Sequence, residues 1–173
     1  MTLKLLNKFL NFKLYFVSLY LLTINKNIMW DKNKILVIAC DHAAYELKEY
    51  FKTELGKEGY TFKDFGTYSN ESVDYPDFMH ALGESMDNGE YELGFVMCGS
   101  GNGATMTANK HKKIRAAMAW NTELASLARQ HNDANILGLS ARFIAKEYAL
   151  EIAHAFLNAD FEGGRHQARV DKI

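Results

Sequence analysis

Hydrophobic positions along this chain switch repeatedly between unbroken apolar runs and spacings of three or four, and the alternation predicts strands interleaved with helices. "KILVIAC" at 34–40 reads as the first strand, and Leu47, Phe51 and Leu55 then recur every fourth residue on a helix that stops near Gly56 and Gly59. "TFKDFG" (61–66) is a second strand, and Pro76 sits where it can open a second helix that ends near 87–90. "LGFVMC" (93–98) is the third strand, followed by a glycine loop and a short helix over "ATMTANK" (104–110). "IRAAMAW" (114–120) and "NILGLS" (135–140) are strands four and five, with "TELASLARQH" (122–131) a helix between them and a long helix over 143–158. This order predicts an α/β fold with a five-stranded parallel sheet, in which ligands bind beyond the carboxyl ends of the strands. The tail, "FEGGRHQARVDKI", is broken by glycine and basic.

Composition narrows the picture. The chain has 173 residues, 48% of them hydrophobic and 24% charged, which suits one globular domain. A net charge of -1 offers no general attraction to nucleic acid or to an anionic membrane, so a bound anion needs a local cluster and the partner is small. Cys40 and Cys98, far apart and without CxxC spacing, argue against a disulfide framework or a structural zinc site and for a reduced, cytoplasmic setting. The first thirty residues stand apart. Lysines at 4, 8 and 13 precede an apolar run from Leu14 to Ile24, shorter than the ~20 residues of a membrane span and without a small-residue cleavage site. An upstream start codon with the natural start at Met29, a peripheral or poorly ordered extension, and export all remain open, and the domain is read as 31–173.

Candidate chemistry collects at the strand ends: "CDHAA" after the first, "CGSGNG" after the third, "WNTE" after the fourth and "SAR" after the fifth. "CGSGNG" is either a tight turn or a nest of backbone N–H groups for a phosphate or an oxyanion. Its spacing fits neither a dinucleotide fingerprint, which would follow the first strand, nor a serine nucleophile elbow, nor a cysteine phosphatase loop. Cys98 is a small buried hydrophobe or, beside a helix N-terminus, a thiolate catalyst, whereas Cys40 ends an apolar run and reads as packing. Asp41 can cap the following helix, and His42 either faces an anion or is incidental. "RQHNDAN" offers His131 and Asn132 at a helix end, and Arg165 and Arg169, four apart, are either a solvated tail or a pair suited to a phosphate dianion. His80, His111 and His154 show no metal-ligand spacing, so no metal or other cofactor is expected.

With "CDHAA", "DYPDF", "CGSGNG", "ANK", "RQHNDAN", "SAR" and "GGRHQAR" in this order, the chain resembles ribose-5-phosphate isomerase type B, within a wider family that includes galactose-6-phosphate isomerase subunits. The resemblance covers roughly 34–173. It implies a three-layer α/β/α, Rossmann-like sandwich that forms a homodimer or tetramer with active sites built from two subunits. It also implies metal-independent interconversion of ribose 5-phosphate and ribulose 5-phosphate in the pentose phosphate pathway. By the same resemblance Cys98 is the base between C1 and C2, with Gly99, Ser100, Gly101, Asn102 and Gly103 cradling the enediolate and Ser100 counted among the catalytic residues. His131 is the acid that opens the furanose ring, and Asp41 and Asn132 lie near the sugar. His42, Arg165 and Arg169 meet the phosphate, and Arg142 is a further substrate contact. Members without the cysteine carry a glutamate directly after GNG; here that position is Ala104, which leaves the proton to Cys98. The chemistry agrees: a positioned base supplies ~10²–10⁴-fold and each oxyanion donor about 2.7–4 kcal/mol. The rival readings are an isomerase of a six-carbon sugar phosphate such as allose or galactose 6-phosphate, a non-catalytic sugar-phosphate or nucleotide sensor, and a metal-dependent hydride-shift isomerase.

Overall fold

The computed structural model describes residues 30–173, so the reading of 1–29 lies outside the described residues. Strands β1 (Leu36–Cys40), β2 (Phe62–Asp64), β3 (Gly94–Cys98), β4 (Ala116–Met118) and β5 (Ile136–Ser140) form one parallel sheet in the order β2-β1-β3-β5-β4. The three inner strands are buried at every position, as continuous apolar runs require. Helices α1 (Tyr45–Lys57), α2 (Tyr75–Asp87), α3 (Asn102–Ala108), α4 (Thr122–Asn132), α5 (Lys146–Leu157) and α6 (Gln167–Val170) complete the described chain.

Alternation along the strands sends side chains to two cores. Leu36, Ile38, Phe95, Met97, Leu137 and Leu139 pack with Leu47, Phe51 and Leu55 of α1, Ala125 and Ala128 of α4, and Ile152 and Phe156 of α5. Val37, Ala39, Val96, Cys98 and Ile136 face Met79, Leu82 and Met86 of α2 and Ala104 and Ala108 of α3. The result is the expected three-layer α/β/α sandwich, with Phe51 edge-on to Phe95 at 5.5 Å between ring centres. Burying each large side chain contributes roughly 1.5–3 kcal/mol.

The boundaries differ from the sequence reading where one face is open. β2 and β4 hold three residues each, because an edge strand is paired along one side only. Helix α3 starts at Asn102, inside the glycine loop, and α5 starts at Lys146, after a turn through 141–143. Trp30, set with the extension on sequence grounds, packs on the first core and donates its backbone N–H to Leu157 O at 3.0 Å. Among the described residues no helix is long and apolar enough to cross a membrane.

Candidate active site

Register pairs Cys98 with Ser140 across β3 and β5, so the loops leaving these strands lie side by side. Cys98 O accepts Ala141 N–H at 3.1 Å, while Gly99 O accepts Arg142 N–H at 3.0 Å and Ser140 Oγ at 2.9 Å. These bonds fix the glycine loop to the end of β5. Gly101 precedes α3 with φ 82°, a left-handed conformation, and a Cβ there would stand 3.1 Å from the Leu139 carbonyl. At Gly103 the obstacle is Tyr75, whose ring would lie 2.5 Å from an added Cβ. Gly99 faces Arg142, whose Nε lies 3.2 Å from the equivalent point, which puts the guanidinium against the loop.

Cys98 is 4% exposed, and its Sγ accepts the Gly101 N–H at 3.1 Å. The sulfur is therefore buried against the loop amides. Within the loop the Gly101 N–H is directed at this sulfur, and Asn102 N–H meets Ser100 Oγ at 3.3 Å. Cys40 behaves as packing. Burial pushes its thiol up to about 12, with Lys48 opposing.

Asp41 lies beyond β1 and Oδ1 accepts Ala43 N–H and Ala44 N–H at 3.0 and 3.1 Å, the expected capping role. Its other carboxylate oxygen takes no part in the cap. His42 Nδ1 lies 3.2 Å from the Val73 N–H and 3.3 Å from the Val73 carbonyl oxygen, so this backbone unit fixes the ring through Nδ1 in either tautomer and leaves Nε2 without a protein partner among the described residues. Val73 reaches His42 on the connection between β2 and α2, which begins with Pro76 in its first turn. That connection is held from below by Lys48, fully buried, whose Nζ donates to both Asp64 oxygens and to Thr67 O at 2.7 Å.

The remaining candidates stand elsewhere. Helix α4 returns antiparallel to the strands and ends just before β5 begins, so His131 and Asn132 lie at the opposite rim from Cys98. One strand and helix length separates them, on the order of 15 Å. Here the His131 and His166 rings stack at 4.2 Å between centroids with 5° between planes, and Glu162 Oε2 lies 3.9 Å from His131 Nε2. The tail docks beside them through a 3₁₀ turn (Gly164–His166) and α6, placing Arg165 and Arg169 on successive turns. A cavity of about 570 Å³ opens at this rim, lined by His111, Lys112, Arg115, Asn132, Val170 and Ile173.

One chain thus divides the candidates into two sets: Asp41, His42, Cys98 to Gly103 and Arg142 at the carboxyl rim, and His131, Asn132, Arg165 and Arg169 at the amino rim. His131, Glu162 and His166 have ligand-type atoms within 4.8 Å of one another. A bound ion needs lone pairs that converge on one point about 2 Å from each. Parallel rings do not converge, and His166 Nε2 already accepts Arg165 Nε at 3.2 Å. Sequence reasoning missed His166, which the basic "GGRHQAR" pattern hid between two arginines, and gave no contact for Tyr75, which opens α2 and packs against the glycine loop.

Comparison with known proteins agrees over the same span. The family model described as Ribose/Galactose Isomerase matches residues 36–173. A probable ribose-5-phosphate isomerase B of Mycoplasma pneumoniae is 42% identical over 142 residues, covering 82% of this chain and 93% of the relative. Ribose-5-phosphate isomerase B of Clostridium thermocellum superposes with a TM-score of 0.78 at 46% identity, covering 80% of this chain and 93% of that one. The Mycoplasma genitalium enzyme, solved with bound ribulose 5-phosphate, gives 0.77 at 39% identity, covering 82% and 95%.

Proposed function

This chain belongs to the ribose/galactose isomerase family, and from that premise we propose that it interconverts ribose 5-phosphate and ribulose 5-phosphate by proton transfer through an enediolate, without a metal, at a site shared between two copies. The observation that carries the reading is the placement of Cys98 Sγ against a loop amide at the carboxyl end of β3, with Arg142 beside the same loop. A proton alpha to a carbonyl is weakly acidic, and its removal needs a base on one side and hydrogen-bond donors for the charge on the other. The cysteine and the loop bring both to one turn of chain.

The reaction begins with a closed sugar. His131 of a second copy gives a proton to the ring oxygen while the free oxygen of Asp41 takes the proton of the C1 hydroxyl; the C1–O4 bond breaks and the C1 carbonyl forms. Cys98, as thiolate, then removes the proton from C2, and the charge develops on O1 against the loop N–H groups. Ser100 passes the O2 hydroxyl proton to O1, Cys98 returns its proton to C1, and the product is the ketose. His42 from one copy, with Arg165 and Arg169 from the other, holds the phosphate end, and Arg142, beside the glycine loop, is a further contact to the substrate. Binding energy from that remote group aligns the two reacting carbons.

The two-copy arrangement rests on distance. His131 and Asn132 are too far from Cys98 in one chain to touch a five-carbon sugar held there, and Met106, Trp120 and Phe143 near the carboxyl rim are 64, 58 and 80% exposed, a surface suited to cover by a second copy.

Solvent deuterium tests the chemistry. Turnover of ribose 5-phosphate in D₂O is expected to place deuterium at C2 of recovered aldose, and Cys98→Ala is expected to abolish that exchange and lower kcat by about 10³-fold or more while ribose 5-phosphate still binds. Exchange in the parent enzyme rules out a hydride shift, and a near-parental alanine variant removes Cys98 from the reaction.

A further inference from the structure

We propose that His166 is a positioning residue which, through its two faces of contact, aims both the ring-opening acid His131 and the phosphate-binding guanidinium of Arg165. The inference rests on the reading of His131 given above and adds a residue to it.

An acid that protonates a ring oxygen must hold its imidazole in a fixed plane, and such histidines are commonly oriented by a hydrogen bond from a third group. Among the described residues His131 has no such bond: its nearest charged neighbour, Glu162 Oε2, is 3.9 Å away, beyond hydrogen-bond length. What fixes its plane is the flat ring of His166, parallel within 5° at 4.2 Å. His166 is itself fixed, since it is 6% exposed and closes a short 3₁₀ turn.

The edge of the same ring does the second job. Arg165 Nε donates to His166 Nε2 at 3.2 Å, which assigns the ring proton to Nδ1 and turns the guanidinium terminus outward. Burial, followed by the positive groups of His131, Arg165 and Arg169, pushes His166 below the ordinary histidine range. A neutral His166 can stack on His131 in either protonation state, whereas two imidazolium rings face to face would repel. The stack also ties the tail to the end of α4, helped by Glu162 N–H to Gln130 O at 3.0 Å, so the acid and the phosphate contacts move as one body.

The two jobs separate in the laboratory because the substrates differ in shape. Ribose 5-phosphate closes to a furanose and needs ring opening; ribulose 5-phosphate, with its C5 oxygen esterified, is open. Steady-state turnover of the aldose reports acid and base together, while deuterium uptake at C1 of saturating ribulose 5-phosphate reports the base alone. His166→Ala removes stack and acceptor: kcat on the aldose is expected to fall by about 10²-fold relative to ketose exchange, with KM raised for both sugars. His166→Phe keeps a flat ring but accepts nothing: its kcat on the aldose stays within a few-fold of the parent while KM for both rises by about tenfold. His166→Leu, which fills the space without a flat ring, replaces the alanine variant if that one melts below the assay temperature.

An unchanged ratio of aldose turnover to ketose exchange in the alanine or leucine variant overturns the orienting role, and a parental KM in the phenylalanine variant overturns the guanidinium role. His131→Asn is the control for the underlying reading. If it too leaves the ratio unchanged, His131 is not the acid; if it collapses the ratio while His166→Ala does not, only the present inference fails.

Discussion

At Gly101 two requirements coincide, a φ of 82° and a Leu139 carbonyl 3.1 Å from any Cβ, and its N–H is the donor to Cys98 Sγ. Gly163 shares the first requirement, with φ 62°, but nothing lies within 4 Å of its missing Cβ. The comparison gives a prediction. With φ 62° and ψ -134° Gly163 stands in a sparsely populated region, so Gly163→Ala carries backbone strain alone, about 1–3 kcal/mol in urea unfolding. Gly101→Ala carries that strain and also moves the amide off the sulfur, so its kcat on ribose 5-phosphate falls more than tenfold beyond any loss of folded protein. Equal kcat losses in the two variants would mean that this amide has no part in the chemistry. The need for glycine was legible in "CGSGNG", because the residue type states the conformation. Which amide meets which atom was not, since that depends on where Leu139 and Tyr75, distant in sequence, arrive.

Among the elements, β1, β3 and β5 were readable from their apolar runs because strands covered on both faces leave no polar position, and the helices from their spacing. What sequence could not reveal is Lys48, on α1, turned inward to tie that helix to the end of β2. A lysine on a helix normally lies outside, and here Asp64, the Thr67 carbonyl, Glu49 and the Tyr68 ring together reverse the preference. Burial alone would raise the Asp64 carboxyl, but hydrogen bonds from Lys48, Lys52 and the Gly66 N–H outweigh it and hold the group below the usual carboxylate range. A depressed acid stabilises the fold above its unfolded pKa, and that contribution is lost as pH falls through the folded value. Asp64→Asn leaves the buried Lys48 ammonium only the partly exposed Glu49 carboxylate, 3.5 Å away, and is expected to cost about 3 kcal/mol at pH 7, more than Lys48→Met, which leaves Asp64 with Lys52 and Gly66. The gap between parent and Asp64→Asn should narrow below about pH 4 in thermal or urea melts. A gap that stays constant down to pH 2 would assign the stabilisation to packing rather than charge.

The whole molecule poses a problem of reach. β3 carries Cys98 to one rim while α4 carries His131 back to the other, and the parallel topology allows no alternative, because each helix must return the chain to the start of the next strand. A five-carbon sugar cannot bridge that separation within one chain, but two copies placed rim to rim can supply both sets to each of two sites. If they do, Cys98→Ala and His131→Asn, each inactive on the aldose alone, complement one another. In a mixed dimer one site inherits both defects and the other inherits neither. Random reassortment by co-refolding equal amounts makes about half of the dimers mixed, with one intact site of two, so ribose 5-phosphate turnover should recover to about a quarter of the parental rate. A mixture as inactive as its components would place Cys98 and His131 of one chain in the same site and require a rearrangement of α4 that the fold described here does not permit.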